Sequence, residues 1–359
     1  MSKGWLRHVL SNDLPRSRVL TVVLLLIFVG LACAPFIFPG ARALNVAAKI
    51  LIFIVLVASY DLLLGYTGIV SFAHTMFFGI GAYGVAIAST RMGPGWSALG
   101  AGIVAAVALS LVLSLIVGLF SLRVRAIFFA MITLAVAAAF QTLASQLGEL
   151  TGGEDGINFK LPELLSPSFQ ITPVPLAGVT VDGKLMTYYL VFGAAVLLFL
   201  ALLRIVNSPF GRVLQAIREN DFRAEAIGYR TVVYRTLSNV IAAVFATLAG
   251  ALLAIWLRYN SADTSLSFEI MIDILLIVVI GGMGTLYGAV CGATVFILAQ
   301  SYLQDLMTLA SNATRSVSIV SALLSPDRWL LLLGILFVLS VYFFPTGIVG
   351  KLRSWRSAS

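Results

Sequence analysis

Long apolar runs separated by short polar intervals dominate the chain, at about 19–38, 46–64, 72–90, 97–120, 126–147, 187–206, 236–257, 268–283, 286–306 and 329–346. Each is near the ~20 residues that an α-helix needs to cross a hydrocarbon core. Lipid offers no partner to a free backbone N–H or C=O, so these runs are predicted to be helices. They show none of the period-two alternation of a transmembrane barrel strand. The pattern predicts an all-α fold: a polytopic membrane protein of about ten transmembrane helices, with Gly-interrupted segments and one cytoplasmic helix between spans. The first run is too long for a signal-peptide core, and Pro35-Phe36-Ile37-Phe38 is a poor small-residue cleavage site, so it is expected to remain as a helix.

Composition agrees. Of 359 residues, 60% are hydrophobic and 11% charged, and the mean hydropathy is +1.04. A soluble domain carries roughly 25% charged residues, so a soluble enzyme is excluded. The net charge of +8 could point to nucleic acid, but its placement points to topology. Lys3, Arg7, Arg16 and Arg18 precede the first run, and Lys351, Arg353 and Arg356 follow the last. Arg212, Arg218, Arg223, Arg230 and Arg235 fill one interval. Ten crossings place both termini, Arg123, Arg125 and residues 207–235 in the cytoplasm, as positive-inside bias requires. Aromatic-plus-basic alternation is absent, so no nucleic acid is expected. Residues 1–350 read as one transmembrane domain with a cytoplasmic tail at 351–359. Cys33 and Cys291 lie inside apolar runs without C-x-x-C spacing and read as packing residues.

The sizeable outward interval is 148–186. It holds Lys160 and Lys184 against Glu149, Glu154, Asp155, Glu163 and Asp182, and its prolines and glycines argue against a long helix. Capping of the outer mouth is expected there, with a disordered tether as the alternative. Two motifs mislead. Gly79-Ile80-Gly81-Ala82-Tyr83-Gly84 spells G-x-G-x-x-G, but inside an apolar helix, where small residues serve helix packing. Gly178 to Lys184 approaches a phosphate-binding loop, yet Leu185 stands where a Ser or Thr would hold Mg²⁺. If ATP drives this protein, the ATPase is a separate polypeptide.

Two runs are interrupted by glycine. Gly65-Tyr66-Thr67-Gly68-Ile69-Val70-Ser71-Phe72-Ala73-His74 has Asp61 one turn upstream. Gly281-Gly282-Met283-Gly284-Thr285-Leu286-Tyr287-Gly288 follows Glu269 and Asp273. Discontinuous segments in corresponding halves point to a transport pathway, and tight helix packing is the other account of the same glycines. Tyr66, Thr67, Ser71, His74, Gly281, Gly282 and Thr285 are the candidate pathway or gate residues. An acid at mid-helix costs ~2.5–3.5 kcal/mol on insertion scales, so Asp61, His74 and Asp273 need a reason, either a proton relay or structural pairing. His8 and His74 are the two histidines, and neither has the neighbours of a metal site.

Residues 208–228 carry the other signal. Ser208-Pro209 has the form of an N-cap followed by proline at the first helical position. Phe210, Val213, Leu214, Ile217 and Ala224 recur near helical spacing, and Gly228 is placed to end the helix. Glu219 and Arg223 have the favourable i,i+4 orientation. An amphipathic cytoplasmic helix is predicted, serving either as an interfacial helix on lipid or as a docking helix for a partner.

The run Gly65-Tyr66-Thr67-Gly68…Ser71…His74…Phe77-Phe78-Gly79-Ile80-Gly81-Ala82-Tyr83 resembles the LivM-type permease family of branched-chain amino-acid ABC importers. Thr151-Gly152-Gly153-Glu154-Asp155-Gly156 is similar to its outer-loop signature. Gly211 to Asn220, leading to Ala226-Ile227-Gly228, looks like its cytoplasmic coupling segment. Gly281 to Gly288 and Pro345-Thr346-Gly347-Ile348 also match, all in order between about 45 and 350. Ala73 stands where the family often has glycine, Ile69 where it often has a glutamine-like residue, and Asp61 near a usual asparagine.

The resemblance implies a permease subunit that performs no bond chemistry and binds no cofactor, with ATP and Mg on partner subunits. It implies a second, related permease in a heterodimer, two cytosolic ATPases, an extracytoplasmic solute-binding protein and the bacterial inner membrane. Arg218, Glu219, Asp221, Arg223 and Gly228 become candidates for ATPase coupling. Branched-chain or other hydrophobic amino acids are the implied solutes, with urea, amides or aromatic and other carboxylates as the alternative within the family. A stand-alone channel or proton-coupled carrier is the alternative outside it.

Overall fold

The computed structural model describes residues 18–38, 40–121, 126–170, 182–313, 328–343 and 346–354. In chain order its elements begin with α1 (Arg18–Ile37), α2 (Ala41–Thr67), α3 (His74–Met92), α4 (Trp96–Ser121), α5 (Ala126–Gln146) and α6 (Gly148–Thr151). Then come β1 (Ile157–Asn158), α7 (Gly183–Asn207), α8 (Pro209–Glu219), α9 (Asp221–Ala226) and α10 (Thr231–Leu257). Last are β2 (Tyr259–Asn260), α11 (Ala262–Ser265), α12 (Phe268–Gly281), α13 (Leu286–Ala313), α14 (Trp329–Phe343) and α15 (Gly347–Ser354). The chain is an all-α polytopic membrane protein: eight helical segments among the described residues are long and apolar enough to cross a bilayer. Helices α3 and α14 occupy the other two predicted runs. Lys3, Arg7, Arg16, Arg123, Arg125, Gly178, Pro345 and Arg356 lie outside the described residues.

Helix α2 is the axis, buried from Val46 almost to its end. Helices α7, α10 and α13 pack around it. The backbones of α3 and α10 nearly touch. A Cβ at Gly81 would run into the Thr247 carbonyl, and one at Gly250 into the Phe78 carbonyl. The G-x-G-x-x-G spelling is therefore a helix-packing face, as the apolar context predicts. On α1, Pro35 has no N–H to give the Leu31 carbonyl. The Tyr188 hydroxyl of α7 donates to that carbonyl at 2.5 Å instead, which ties α1 to the bundle.

Helix α10 is 27 residues long, about 40 Å at 1.5 Å per residue. It therefore separates two ends, one carrying α8 and α9, the other carrying β1 and β2. At the second end Ile157 and Asn158 pair antiparallel with Asn260 and Tyr259. Phe159, Leu161 and Leu165 pack on Ala82, Leu99, Ala254 and Ile255, and close the tops of α3, α4 and α10. Arg258, left-handed at φ 58°, donates to the Leu165 carbonyl at 2.9 Å. Burial pulls its pKa below the ordinary arginine value, and the Asp182 carboxylate opposes the shift. Asp182 also accepts from Leu185 N at 2.9 Å and starts α7 four residues before the predicted run. The described part of the 148–186 interval is thus a folded cap.

The eighth span departs from expectation. It does not begin at 268: the chain re-enters at Ala262, breaks at Leu266-Ser267 and resumes as α12. The segment runs beside α3, Ala262 and Leu266 packing with Tyr83. Leu266 also lies against Gly79, and the Phe268 ring is 6.1 Å from that of Phe72. Ser261, Asp263, Thr264 and Ser265 dilute the apolar signal there. Ser261 caps α11 by accepting from Thr264 N, so the polar residues serve the helix start rather than a surface loop.

Candidate functional site

The two glycine interruptions meet in space at the end that carries α8. Helix α2 stops at Gly68, which is left-handed at φ 73°. Such a stop leaves the last carbonyls of the helix without helical donors. Arg218 of α8 supplies one: its Nη1 donates to the Gly65 carbonyl. A cation at a helix C-terminus also suits the helix dipole. One turn earlier, Asp61 Oδ1 accepts from Gly284 N at 2.9 Å, across 223 residues of sequence. Its second oxygen has no hydrogen-bond partner among the described residues.

Glycine is required by these approaches. A Cβ at Gly65 would collide with the Asp61 carboxylate and the Gly284 amide. A Cβ at Gly284 would lie 2.8 Å from Arg218 Nη1 and 2.9 Å from Gly65 O. On the other side of the same turn, Gly347 abuts Gly282, so the start of α15 closes the junction. Thr285 Oγ1 donates to Gly282 O at 2.8 Å, and Gly281 packs on Gly288 across the hairpin between α12 and α13.

Tyr66, Thr67, Ser71 and His74 are buried within the chain. Thr67 Oγ1 donates to the Leu63 carbonyl at 2.8 Å and lies 3.3 Å from Ser238 Oγ of α10. Ser59 Oγ donates to Leu56 O at 2.7 Å, so its oxygen accepts from His74 Nε2 at 2.9 Å. The Tyr60 ring stands edge-on to the imidazole at 5.2 Å. His74 is thus a latch between α2 and the first turn of α3. No hydrogen bond joins it to Asp61 among the described residues, and Asp273 bonds elsewhere, to Gln300. A cleft of about 320 Å³ lies beside the same interruption, lined by Val70 and Phe72 with Ile127, Ala130, Met131 and Leu134 of α5.

The 208–228 segment is two helices, not one. Asn220 is extended, and its Oδ1 accepts from Arg223 N at 2.9 Å to start α9. The elbow takes Glu219 and Arg223 off a common helix, so their predicted i,i+4 pairing does not form. Ser208 does not cap α8: its Oγ donates to Ile205 O at 2.6 Å, satisfying the end of α7 instead. The apolar face of α8 is buried through Leu214 and Ile217, and Phe210 stacks on Tyr234 at 5.8 Å. Asp221 pairs with Arg235 at 3.0 Å. Gly228, at φ 97°, donates to Glu225 O at 2.9 Å just past the end of α9. Of the coupling candidates, Arg218, Glu219 and Arg223 are all exposed, and Arg218 also reaches back to the Gly65 carbonyl. Beside them Phe222 is 82% exposed and Ile227 67%.

Sequence reasoning missed Ser59, Lys49 and Gln300. A lone lysine in a long apolar helix is a readable signal for Lys49, whereas Ser59 and Gln300 carry none. Among the described residues, no three His, Cys, Asp or Glu side chains gather as a metal site.

A family model described as the permease component of branched-chain amino acid transport systems matches residues 42–341. The chain is similar to the high-affinity branched-chain amino acid transport system permease protein LivM of Salmonella typhimurium. The two are 27% identical over 277 residues, covering 73% of this chain and 64% of that relative. LivM of Escherichia coli is 27% identical over 275 residues, covering 73% and 63%. The chain thus spans slightly less than two thirds of the length of these relatives. No solved structure matches it. With most of its length under the family model, from α2 almost to the end of α14, the chain belongs to the branched-chain amino acid transport permease family.

Proposed function

We propose that this chain is the transmembrane permease subunit of an ATP-driven importer for branched-chain or other hydrophobic amino acids. A second, related permease completes the pathway. Two cytosolic ATPases, which carry ATP and Mg, dock on α8 and α9, and an extracytoplasmic binding protein delivers solute to the cap around β1 and β2. The α8 end then faces the cytosol of a bacterial-type inner membrane.

The observation that carries this reading is the Arg218–Gly65 hydrogen bond beside the Asp61–Gly284 bond. It joins a segment outside the bundle to both interrupted spans. ATPase closure moves α8, and α8 is bonded to the end of α2 and abuts the 282–285 turn, so the motion reaches the two hinges together. Such coupling works because each hinge has few arrangements and Arg218 favours one of them.

Copurification and reconstitution test the proposal. The tagged chain should bring down an ATPase, and vesicles of the assembly should take up leucine only with ATP, binding protein and no vanadate. Uptake by this chain alone, driven by a proton gradient, would overturn the importer reading.

A further inference from the structure

Helix α12 is apolar over its 14 residues except for Glu269 and Asp273. Four residues apart, these acids share one face, with Ile272 between them 41% exposed. Asp273 is half-buried and Glu269 exposed. The start of α12 lies beside Phe72, and Glu269 stands seven residues into the Ala262–Gly281 span. An acid on a lipid-facing helix is costly at such a place, so this face borders protein or a water-filled path.

Across from it stand Lys49 of α2 and Gln300 of α13. Gln300 Nε2 donates to Asp273 Oδ2 at 3.3 Å, and Lys49 Nζ donates to Gln300 Oε1 at 2.9 Å. The amide therefore sits between base and acid, and no direct ion pair forms between Lys49 and Asp273. A purely structural pair in low dielectric gains most by direct contact. Here an ammonium and a carboxylate are held apart on one wall, each with hydrogen-bonding capacity left over: Lys49 has two further N–H groups and Asp273 further lone pairs.

We propose that Lys49, Gln300, Asp273 and Glu269 form a subsite for the zwitterionic head of an α-amino acid. The acids take the ammonium group, Lys49 takes the carboxylate, and the exposed Phe268 and Ile272 beside Glu269 border its apolar side chain. The site is a wall, completed by the second permease. This inference rests on the amino-acid importer reading and assigns its head-group contacts.

The test uses the assembled importer in vesicles, with leucine as the probe and ATPase activity stimulated by the loaded binding protein as control. Lys49→Met, Asp273→Asn and the double variant should each keep stimulated ATPase within twofold, while leucine uptake falls at least tenfold. If the charges merely compensate one another, the double variant regains wild-type uptake, and that result overturns the subsite. Unchanged uptake in the single variants overturns it too. Should a single variant fail to accumulate in the membrane, Asp273→Glu replaces it, keeping the charge but shifting it by one methylene: wild-type uptake there overturns the proposal and a tenfold loss supports it. A wild-type assembly that binds its ATPases but moves no amino acid would overturn both the importer reading and the subsite.

Discussion

Arg218, on a short helix outside the bundle, donates a hydrogen bond to the backbone carbonyl of Gly65, 153 residues earlier at the end of the central helix. One arm of the guanidinium is therefore bonded to its own chain, although the residue as a whole stays exposed. Arg218→Ala should leave assembly and ATPase activity in place and lower uptake at least tenfold, because it removes the bond between α8 and the two hinges. Arg218→Lys keeps a charge but loses the guanidinium fork, and should retain an intermediate rate. Uptake against ATP hydrolysis, measured on the same vesicles, checks both.

The other side of that segment is the surface proposed to meet the ATPase. Phe222, 82% exposed, makes an aromatic projection that the fold itself does not need. Phe222→Ser should change stability by no more than about 0.5 kcal/mol, as surface substitutions do, yet reduce the copurifying ATPase several-fold. Melting of the detergent-purified chain beside quantified ATPase recovery separates the two effects.

His74 gives a prediction about energy source. Its Nε2 is engaged by Ser59 and lies 3.3 Å from the Leu56 carbonyl, with no hydrogen-bonded chain leading to Asp61 among the described residues. Uptake by the ATP-loaded assembly should therefore be unaffected when a protonophore collapses the proton gradient. His74→Gln, which keeps a donor, should retain most activity, and Ser59→Ala should destabilise by about 1 kcal/mol, because His74 then keeps only the longer contact to the Leu56 carbonyl. A steep protonophore effect would restore the relay reading of Asp61 and His74.

Much of the fold is legible from apolar run length, because the bilayer imposes one length on every span. Among the described residues each of the ten runs holds a helix, eight of the segments long enough to span, and the packing role of Gly81 and Gly84 is legible from the apolar residues around them. What escapes is pairing across distance. Nothing local in Gly281–Gly288 says that Gly284 will donate to Asp61, or that Gln300 will stand between Lys49 and Asp273. The elbow at Asn220 escapes for another reason. The apolar spacing of Leu214, Ile217 and Ala224 continues through it, while the break depends on an asparagine side chain capping the next helix, a choice that periodicity does not record. The re-entry at Ala262 was hidden because its serines and threonines look like a loop until Ser261 is seen to cap a helix start.

Gly65 offers the sharpest test of the junction. It stands where the Asp61 carboxylate, the Gly284 amide and the Arg218 guanidinium converge, and a Cβ there collides with the first two. Gly65→Ala must push Asp61 off its partner or displace the turn, and overpacking of this kind costs about 1–3 kcal/mol. Loss of the buried hydrogen bond adds about 1–3 kcal/mol more. The variant should therefore melt at a clearly lower temperature than Gly30→Ala, since a Cβ at Gly30 meets nothing within 4 Å. The further variant Gly65→Ala with Asp61→Ala removes the clashing carboxylate and should recover part of the melting temperature. It should not recover uptake, because the link between Asp61 and Gly284 is gone. A double variant with wild-type transport would show that the two hinges move independently, and would remove the bond between α2 and the 282–285 turn from the coupling route.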